Sequence, residues 1–132
     1  MIKEVKIKSE IKNLRIVEKI VDEISTQVGI DKNNYGKILV STMEAVNNAI
    51  IHGNKSDLKK EVIIYFNYEN EKIEITVEDE GNGFNYNNIP DPTLPENIEK
   101  ITGRGVFLMR KLADNVEFNE KGNKVKLIFN NR

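Results

Sequence analysis

Apolar residues recur at every second position in some segments and at helical spacing in others. These two patterns predict the strands and the helices of the chain. Apolar and charged side chains alternate over residues 1–8, which predicts a strand at the edge of a sheet. Its apolar members are Ile2, Val5 and Ile7. Ser9 then predicts the N-cap of a helix that Gly29 ends, because apolar residues recur between them at helical spacing. These apolar residues are Ile11, Leu14, Val17, Ile20, Val21, Ile24 and Val28.

A second helix and two pairs of strands follow. Asp31 or Asn33 begins this helix, and Gly53 ends it. Further elements are predicted as strands 61–68, 72–79, 115–120 and 124–129 and a short buried helix 106–112. This order favours an α+β fold, a two-layer α/β sandwich in which helices cover one face of a mostly antiparallel or mixed sheet. Residues 1–132 are predicted to form a single domain.

The second helix carries a polar stripe whose side chains have useful chemistry. Helical spacing places Lys37, Ser41, Glu44, Asn48 and His52 on this stripe, and Val40, Met43, Val46, Ala49 and Ile50 on an apolar one. The amide oxygen of Asn48 is a hard, neutral ligand that suits Mg²⁺. One turn away, the Glu44 carboxylate could orient a hydroxyl or water that attacks a phosphoryl group. An ordinary solvated helix face fits this stripe equally well.

A glycine-rich acidic turn follows the strand 72–79. Asp79 ends that strand, and Gly81 and Gly83 come directly after it. A buried carboxylate at this place can accept a hydrogen bond from the exocyclic amine of adenine, while the glycines let the backbone approach the base. A plain turn that uses glycine for its backbone conformation is the alternative, and it is the simpler one for this segment alone.

A second glycine cluster precedes the last predicted helix. Backbone amides at a helix N-terminus can bind phosphate, although a glycine pair before a helix is also common in loops. The candidate phosphate-binding residues are Thr102, Gly103, Arg104, Gly105 and Val106. Between the two clusters, a segment at about residues 85–103 contains all 3 prolines and is long for a loop, which predicts a lid over the site.

Composition narrows the classes of partner. The 132 residues carry a net charge of −1, and no basic stripe with interleaved aromatic residues appears, so direct binding to nucleic acid is not expected. The absence of cysteine excludes disulfides and thiolate metal sites. No segment has the pattern of a signal peptide or a membrane span, and we therefore expect a cytoplasmic protein without membrane contact.

Taken together, the three motifs resemble those of the GHKL ATPase superfamily, which includes gyrase, Hsp90, MutL and the histidine kinases. The similarity is greatest to the bacterial anti-sigma-factor serine kinases of the RsbW type, and it covers nearly the whole chain. It implies a Bergerat-type fold that binds ATP between the second helix and the lid. Asn48 would hold Mg²⁺, Glu44 would orient the substrate hydroxyl and Asp79 would bind the adenine amine. Gly81 and Gly83 would line the base, and backbone amides from Gly103 to Val106 would bind phosphate.

The resemblance also implies a function and partners. A kinase of this type phosphorylates a serine or threonine of a small antagonist, the anti-anti-sigma protein, sequesters a sigma factor and forms a homodimer. An ATP-regulated binding module without phosphotransfer is the alternative.

The roles of two residues remain open between two interpretations. His52 could face the nucleotide or cap helix carbonyls, and Arg104 could reach a phosphate or form an exposed salt bridge.

Overall fold

The computed structural model describes residues 1–69, 71–81 and 101–130, with the backbone alone at residues 101–104. Its elements are β1 (Ile2–Lys8), α1 (Leu14–Val28), α2 (Lys32–Asn48), β2 (Glu61–Tyr68), β3 (Lys72–Glu78), α3 (Ile101–Leu112), β4 (Asn115–Phe118) and β5 (Lys124–Asn130). A short 3₁₀ turn, Ile11–Asn13, precedes α1, and a π-helical turn, Ala49–Gly53, continues α2. None of the described helices is long and apolar enough to cross a membrane.

The five described strands form one sheet in the order β1-β2-β3-β5-β4, and every neighbouring pair is antiparallel. One face of this sheet is almost fully buried. Phe66, Ile75 and Leu127 pair across three adjacent strands and are at most 1% exposed. The three helices cover this face, which confirms the predicted α+β sandwich and gives a wholly antiparallel sheet.

The other face of the sheet is polar, as the alternation along the strands predicted. Glu74 lies at its centre, and its carboxylate contacts the ammonium groups of Lys72 at 3.0 Å and Lys126 at 3.4 Å. The hydrogen bond from Lys72 is the main reason that the pKa of Glu74 lies below its usual value. Charge pairs therefore keep this face compatible with water.

The start of α1 differs from the sequence prediction. Gly29 ends the helix in the left-handed conformation as expected, with φ of 70°. Ser9 does not cap it, because the Ser9 side chain is buried and donates to the backbone carbonyl of Lys60 at 2.7 Å. A hydroxyl removed from water needs a partner, and the partner here comes from a distant loop. Two predicted apolar members, Ile2 of β1 and Ile11 before α1, are exposed.

The start of α2 agrees with one of the two predicted starts. The buried face of α2 differs in part from the predicted apolar stripe. Asp31 is the N-cap, and its carboxylate accepts the amide of Asn34 at 2.9 Å. Val40, predicted on the apolar stripe, is 43% exposed, whereas Ser41, predicted on the polar stripe, is fully buried. The buried face of α2 is rotated because this helix packs against α1 and α3 as well as against the sheet.

The last helix begins earlier than predicted. It starts at Ile101 instead of residue 106, so Gly103 and Gly105 lie within α3 and not in a turn before it. Residues 101–103 of the predicted lid are therefore helical, while residues 85–100 fall outside the described residues. Smaller differences concern the strands, because β3 ends at Glu78 and β4 at Phe118.

Candidate functional site

A small cavity lies where the end of α2 meets β3, α3 and the turn between β4 and β5. It encloses about 60 Å³. Four of the predicted site residues line it, namely Asn48, His52, Asp79 and Val106. Its other lining residues are Ala45, Ala49, Gly53, Val77, Met109, Phe118, Gly122, Asn123, Lys124 and Val125. Aliphatic side chains thus surround a few polar groups, a composition typical of sites for small molecules.

Glu44 and Asn48 lie one helical turn apart and face the backbone of α3. A Cβ atom built on Gly105 would lie 2.7 Å from Nδ2 of Asn48 and 3.1 Å from Oε2 of Glu44. The absence of a side chain at Gly105 therefore allows α3 to approach both groups. The fold brings the first and third motifs together, although Glu44 does not itself line the cavity.

Asn48 contains an acceptor without a partner. Its Oδ1 is buried and accepts no hydrogen bond from any residue that the structure describes. An unsatisfied buried acceptor costs about 1–3 kcal/mol, so a native fold rarely keeps one without a reason. A neutral amide oxygen in this position fits the donor chemistry of Mg²⁺. No three acidic or histidine side chains gather in the described residues, so a metal here would take its other ligands from phosphate and water.

Asp79 projects from the end of β3 and is tied to the backbone on both sides. Its Oδ1 accepts the amide of Gly81 at 2.7 Å. Its backbone amide donates to the carbonyl of Asn123 at 2.9 Å, and Nδ2 of Asn123 donates to the Asp79 carbonyl at 3.0 Å. Burial raises the pKa of the Asp79 carboxyl, an effect that the Gly81 amide and the Lys121 ammonium partly oppose.

Two glycines leave room for the Asp79 carboxylate. A Cβ atom on Gly53 would overlap the carboxylate of Asp79, and a Cβ atom on Gly81 would overlap the backbone carbonyl oxygen of Gly53. The turn after β3 therefore lies directly against the end of the π-helical turn. Gly53 was predicted only as the end of a helix, and the contact that it makes with Asp79 had no signal in the sequence.

The π-helical turn gives the end of α2 an unusual shape. The amide of Asn54 bonds to the carbonyl of Ala49 at 2.8 Å, and that of Ser56 bonds to Ile50 at 2.8 Å. Lys55 and Ser56 then adopt left-handed conformations, with φ of 53° and 56°. Non-glycine residues with such angles are uncommon and cluster at functional sites. His52 belongs to this turn, is exposed and lines the cavity.

The remaining predicted residues are only partly described. Gly81 is buried beside Asp79, whereas Gly83 lies outside the described residues. Thr102, Gly103 and Arg104 lie in α3, where the structure describes their backbone alone. Gly105 and Val106 lie further along the same helix, and both are buried.

The sequence analysis missed the contribution of the turn between β4 and β5. Asn123 and Lys124 line the cavity, and Asn123 holds the end of β3. In the sequence this segment has only the pattern of a hairpin turn. Its role depends on the pairing of β3 with β5, a contact between residues about fifty positions apart, such as Glu78 and Lys124.

Comparisons with known proteins identify the family and the fold of the chain. Residues 7–129 match the histidine kinase-like ATPase domain family. The serine-protein kinase RsbW of Bacillus cereus is 26% identical over 120 residues, which are 86% of this chain and 74% of that protein. The RsbW of Oceanobacillus iheyensis is 26% identical over 124 residues, which are 89% of this chain and 78% of that protein.

A solved structure shows the same fold. The crystal structure of the RsbU and RsbW domains of a Mycobacterium tuberculosis protein superposes on the whole chain with a TM-score of 0.68 at 16% identity. The chain spans 32% of that longer protein. Because the family match covers most of the sequence and includes α2, β3 and α3, the chain belongs to the histidine kinase-like ATPase domain family.

Proposed function

We propose that this chain binds ATP with Mg²⁺ and transfers the γ-phosphate to a serine or threonine of a small antagonist protein of the anti-anti-sigma type. In the same proposal the chain sequesters a sigma factor and acts as a cytoplasmic homodimer. The observation that carries the proposal is the unpaired, buried Oδ1 of Asn48, one helical turn from the Glu44 carboxylate. The similarity to RsbW serine-protein kinases supports the choice of a protein as phosphate acceptor.

The proposed roles divide the site into two ends. At one end, Asp79 accepts a hydrogen bond from the exocyclic amine of adenine, with Gly81 and Gly83 beside the base. At the other end, Asn48 Oδ1 would hold Mg²⁺, and the metal would supply charge neutralisation to the phosphates. Backbone amides from Gly103 to Val106 are proposed to bind phosphate, and Thr102 and His52 to line the nucleotide.

Glu44 is proposed as the catalytic residue. Its carboxylate accepts the proton from the substrate hydroxyl, whose oxygen forms a bond to the γ-phosphorus while the bond to the β,γ-bridging oxygen breaks and ADP leaves. Such transfer depends mainly on position and electrostatic stabilisation. A Cβ atom built on Gly105 would lie 3.1 Å from Oε2 of Glu44, so the carboxylate lies close to α3 and beside Asn48.

The test is transfer of label from γ-labelled ATP with Mg²⁺ to protein in a lysate of the source organism, followed by identification of the labelled protein. The variant Glu44→Gln keeps the shape of the side chain and removes its basicity. We expect ATP affinity within a few fold of wild type and transfer reduced by roughly 10²–10⁴-fold, the usual contribution of a general base.

Two outcomes would contradict the kinase. Wild-type protein that binds Mg-ATP but labels no protein would favour the binding module, in which nucleotide selects a partner without transfer. A Glu44→Gln variant that transfers phosphate as fast as wild type would remove Glu44 from the catalytic role. The variant Asn47→Ala, one position before Asn48 on the same helix, is the matched control and should leave transfer unchanged.

A further inference from the structure

Asn54 joins three segments of the chain beneath the Asp79 turn. It directly follows the π-helical turn and is 1% exposed. Its Oδ1 accepts the backbone amide of Glu80 at 2.7 Å, and its Nδ2 donates to Ser9 Oγ at 2.9 Å and to the carbonyl of Glu61 at 3.0 Å. A backbone amide only donates and a carbonyl only accepts, so these partners fix the orientation of the Asn54 side chain.

The hydrogen bond between Asn54 and the Glu80 amide fixes the backbone between Asp79 and Gly81. The Gly81 amide donates to the Asp79 carboxylate, and its direction depends on the peptide that Asn54 holds. Glu80 is held a second time, because its carboxylate accepts the backbone amide of Glu61 at 2.6 Å. Gly53, next to Asn54 in the chain, forms the wall against which the Asp79 carboxylate lies.

We infer that Asn54 is a positioning residue that holds the Asp79 carboxylate in the orientation needed to accept the exocyclic amine of adenine. Asn54 thereby sets the preference of the site for adenine over a purine that carries an oxo group at the same carbon. This inference rests on the proposed function. Asn54 itself does not contact the nucleotide in this role, and it acts only through Glu80, Gly81 and Asp79.

A purely structural role for Asn54 makes a different prediction. If its hydrogen bonds only stabilised the fold, its loss would weaken binding of all nucleotides in proportion to the unfolded fraction, and base preference would not change. Ser9 provides the matched control, because its hydroxyl is equally buried and belongs to the same network without contacting Glu80. Ser9→Ala therefore removes one partner of Asn54 and keeps the bond between Asn54 and the Glu80 amide.

The experiment compares the Kd of ATP with that of inosine triphosphate, which replaces the exocyclic amine by an oxo group, in the presence of Mg²⁺. It uses wild type, Asn54→Ala, Asn54→Asp and Ser9→Ala, with thermal melts to confirm folding. In wild type we expect a preference for ATP of at least about tenfold, as one hydrogen bond to a carboxylate allows. Asn54→Ala should lose most of this preference, whereas Ser9→Ala should keep it.

Asn54→Asp distinguishes the positioning of Asp79 from the stability of the fold. It keeps an oxygen that faces the Glu80 amide and loses the two N–H donors. It should retain the preference for ATP even with a lower melting temperature. If Asn54→Ala does not fold, Asn54→Gln, which moves the amide by one methylene, replaces it and should also lose the preference. A folded Asn54→Ala or Asn54→Gln variant with wild-type preference would overturn the inference and leave the proposed function intact. Wild-type protein that binds neither nucleotide would overturn both.

Discussion

At the residue scale, Asn48 has a side-chain oxygen whose burial no described hydrogen bond explains. Its amide oxygen is buried without a partner in the described structure, yet it lies in the last turn of α2 beside the cavity. Leaving an acceptor unpaired weakens the fold. A bound cation would offset this cost, so the same oxygen can be unfavourable in the free protein and favourable in the complex.

Replacing Asn48 by alanine should therefore affect the metal more than the nucleotide. We expect Asn48→Ala to weaken binding of Mg-ATP far more than binding of ATP without metal, because only the former uses the amide oxygen as a ligand. Calorimetric titration with and without Mg²⁺ measures the difference, with Asn47→Ala as control. Equal losses in the two titrations would show that Asn48 is not a metal ligand.

The Asp79 carboxylate is expected to favour ATP binding and to lower the stability of the fold. Burial raises its pKa in the folded protein above the value in the unfolded chain. The stabilising contribution of a group with a raised pKa is complete below its unfolded pKa and is lost as pH rises through the folded pKa. The ionised form of this partly buried carboxylate therefore opposes folding of the protein without nucleotide.

For Asp79→Asn we expect a free energy of unfolding at pH 7 that is equal to or above that of wild type, together with weaker ATP binding. The amide oxygen of asparagine can still accept the Gly81 amide. In urea titrations from about pH 4 to 7, the stability of wild type should fall relative to the variant as pH rises. Glu120→Gln, at an exposed carboxylate in the turn after β4, is the control. A difference that grew in the opposite direction would contradict the raised pKa.

At the scale of elements, the contact between α2 and α3 depends on Gly105. This glycine lies inside a helix, where it costs up to about 1 kcal/mol relative to alanine. The side chains of Asn48 and Glu44 leave no room for a methyl group there without movement. Close packing of two helices thus takes precedence over the helix propensity of one position.

A pair of glycine substitutions tests this balance. Gly36→Ala in α2 meets nothing within 4 Å and should raise the free energy of unfolding by about 0.5–1 kcal/mol. Gly105→Ala should give no such gain, because its Cβ would lie 2.7 Å from Asn48 Nδ2. In an Asn48→Ala background part of the gain should return, because only Oε2 of Glu44, at 3.1 Å, then opposes the methyl group. A double-mutant cycle from urea titrations measures this non-additivity. Gains of equal size at the two glycines in wild type would contradict the close approach.

Local signals explain which elements could be predicted from the sequence. Gly29 ends α1 and Asp31 caps α2 through contacts within one turn, and the strands of the β2–β3 hairpin follow their own alternation. Ser9 and Ser41 were misplaced because their burial depends on distant segments. Glu44, Asn48 and Asp79 were predicted as site residues from chemistry and spacing, whereas Asn54 and Asn123 bond to partners that only the folded sheet brings near.

At the scale of the whole molecule, the cavity collects residues from α2, β3, α3 and the turn before β5. A ligand bound there contacts segments far apart in the sequence and so stabilises the entire cooperative unit. Mg-ATP at about 100 times its Kd should add about 2.7 kcal/mol to the free energy of unfolding, or roughly 10 °C in Tm. Differential scanning calorimetry measures this shift. Asn48→Ala at the same concentration should show a smaller shift, and an unchanged Tm in wild type at saturating Mg-ATP would contradict the site.

Substitutions of Gly53 and Gly81 in related chains would have different meanings for the Asp79 carboxylate. Gly81 is confined by the backbone of Gly53, so it must stay glycine in any descendant that keeps this fold, whether or not that descendant still binds a nucleotide. The atoms nearest to a Cβ on Gly53 all belong to the Asp79 carboxylate. A side chain can therefore enter at Gly53 only after Asp79 has been lost or has moved. A glycine kept at position 81 is therefore expected with or without activity, whereas a replaced Gly53 marks a related chain whose Asp79 carboxylate is lost or displaced.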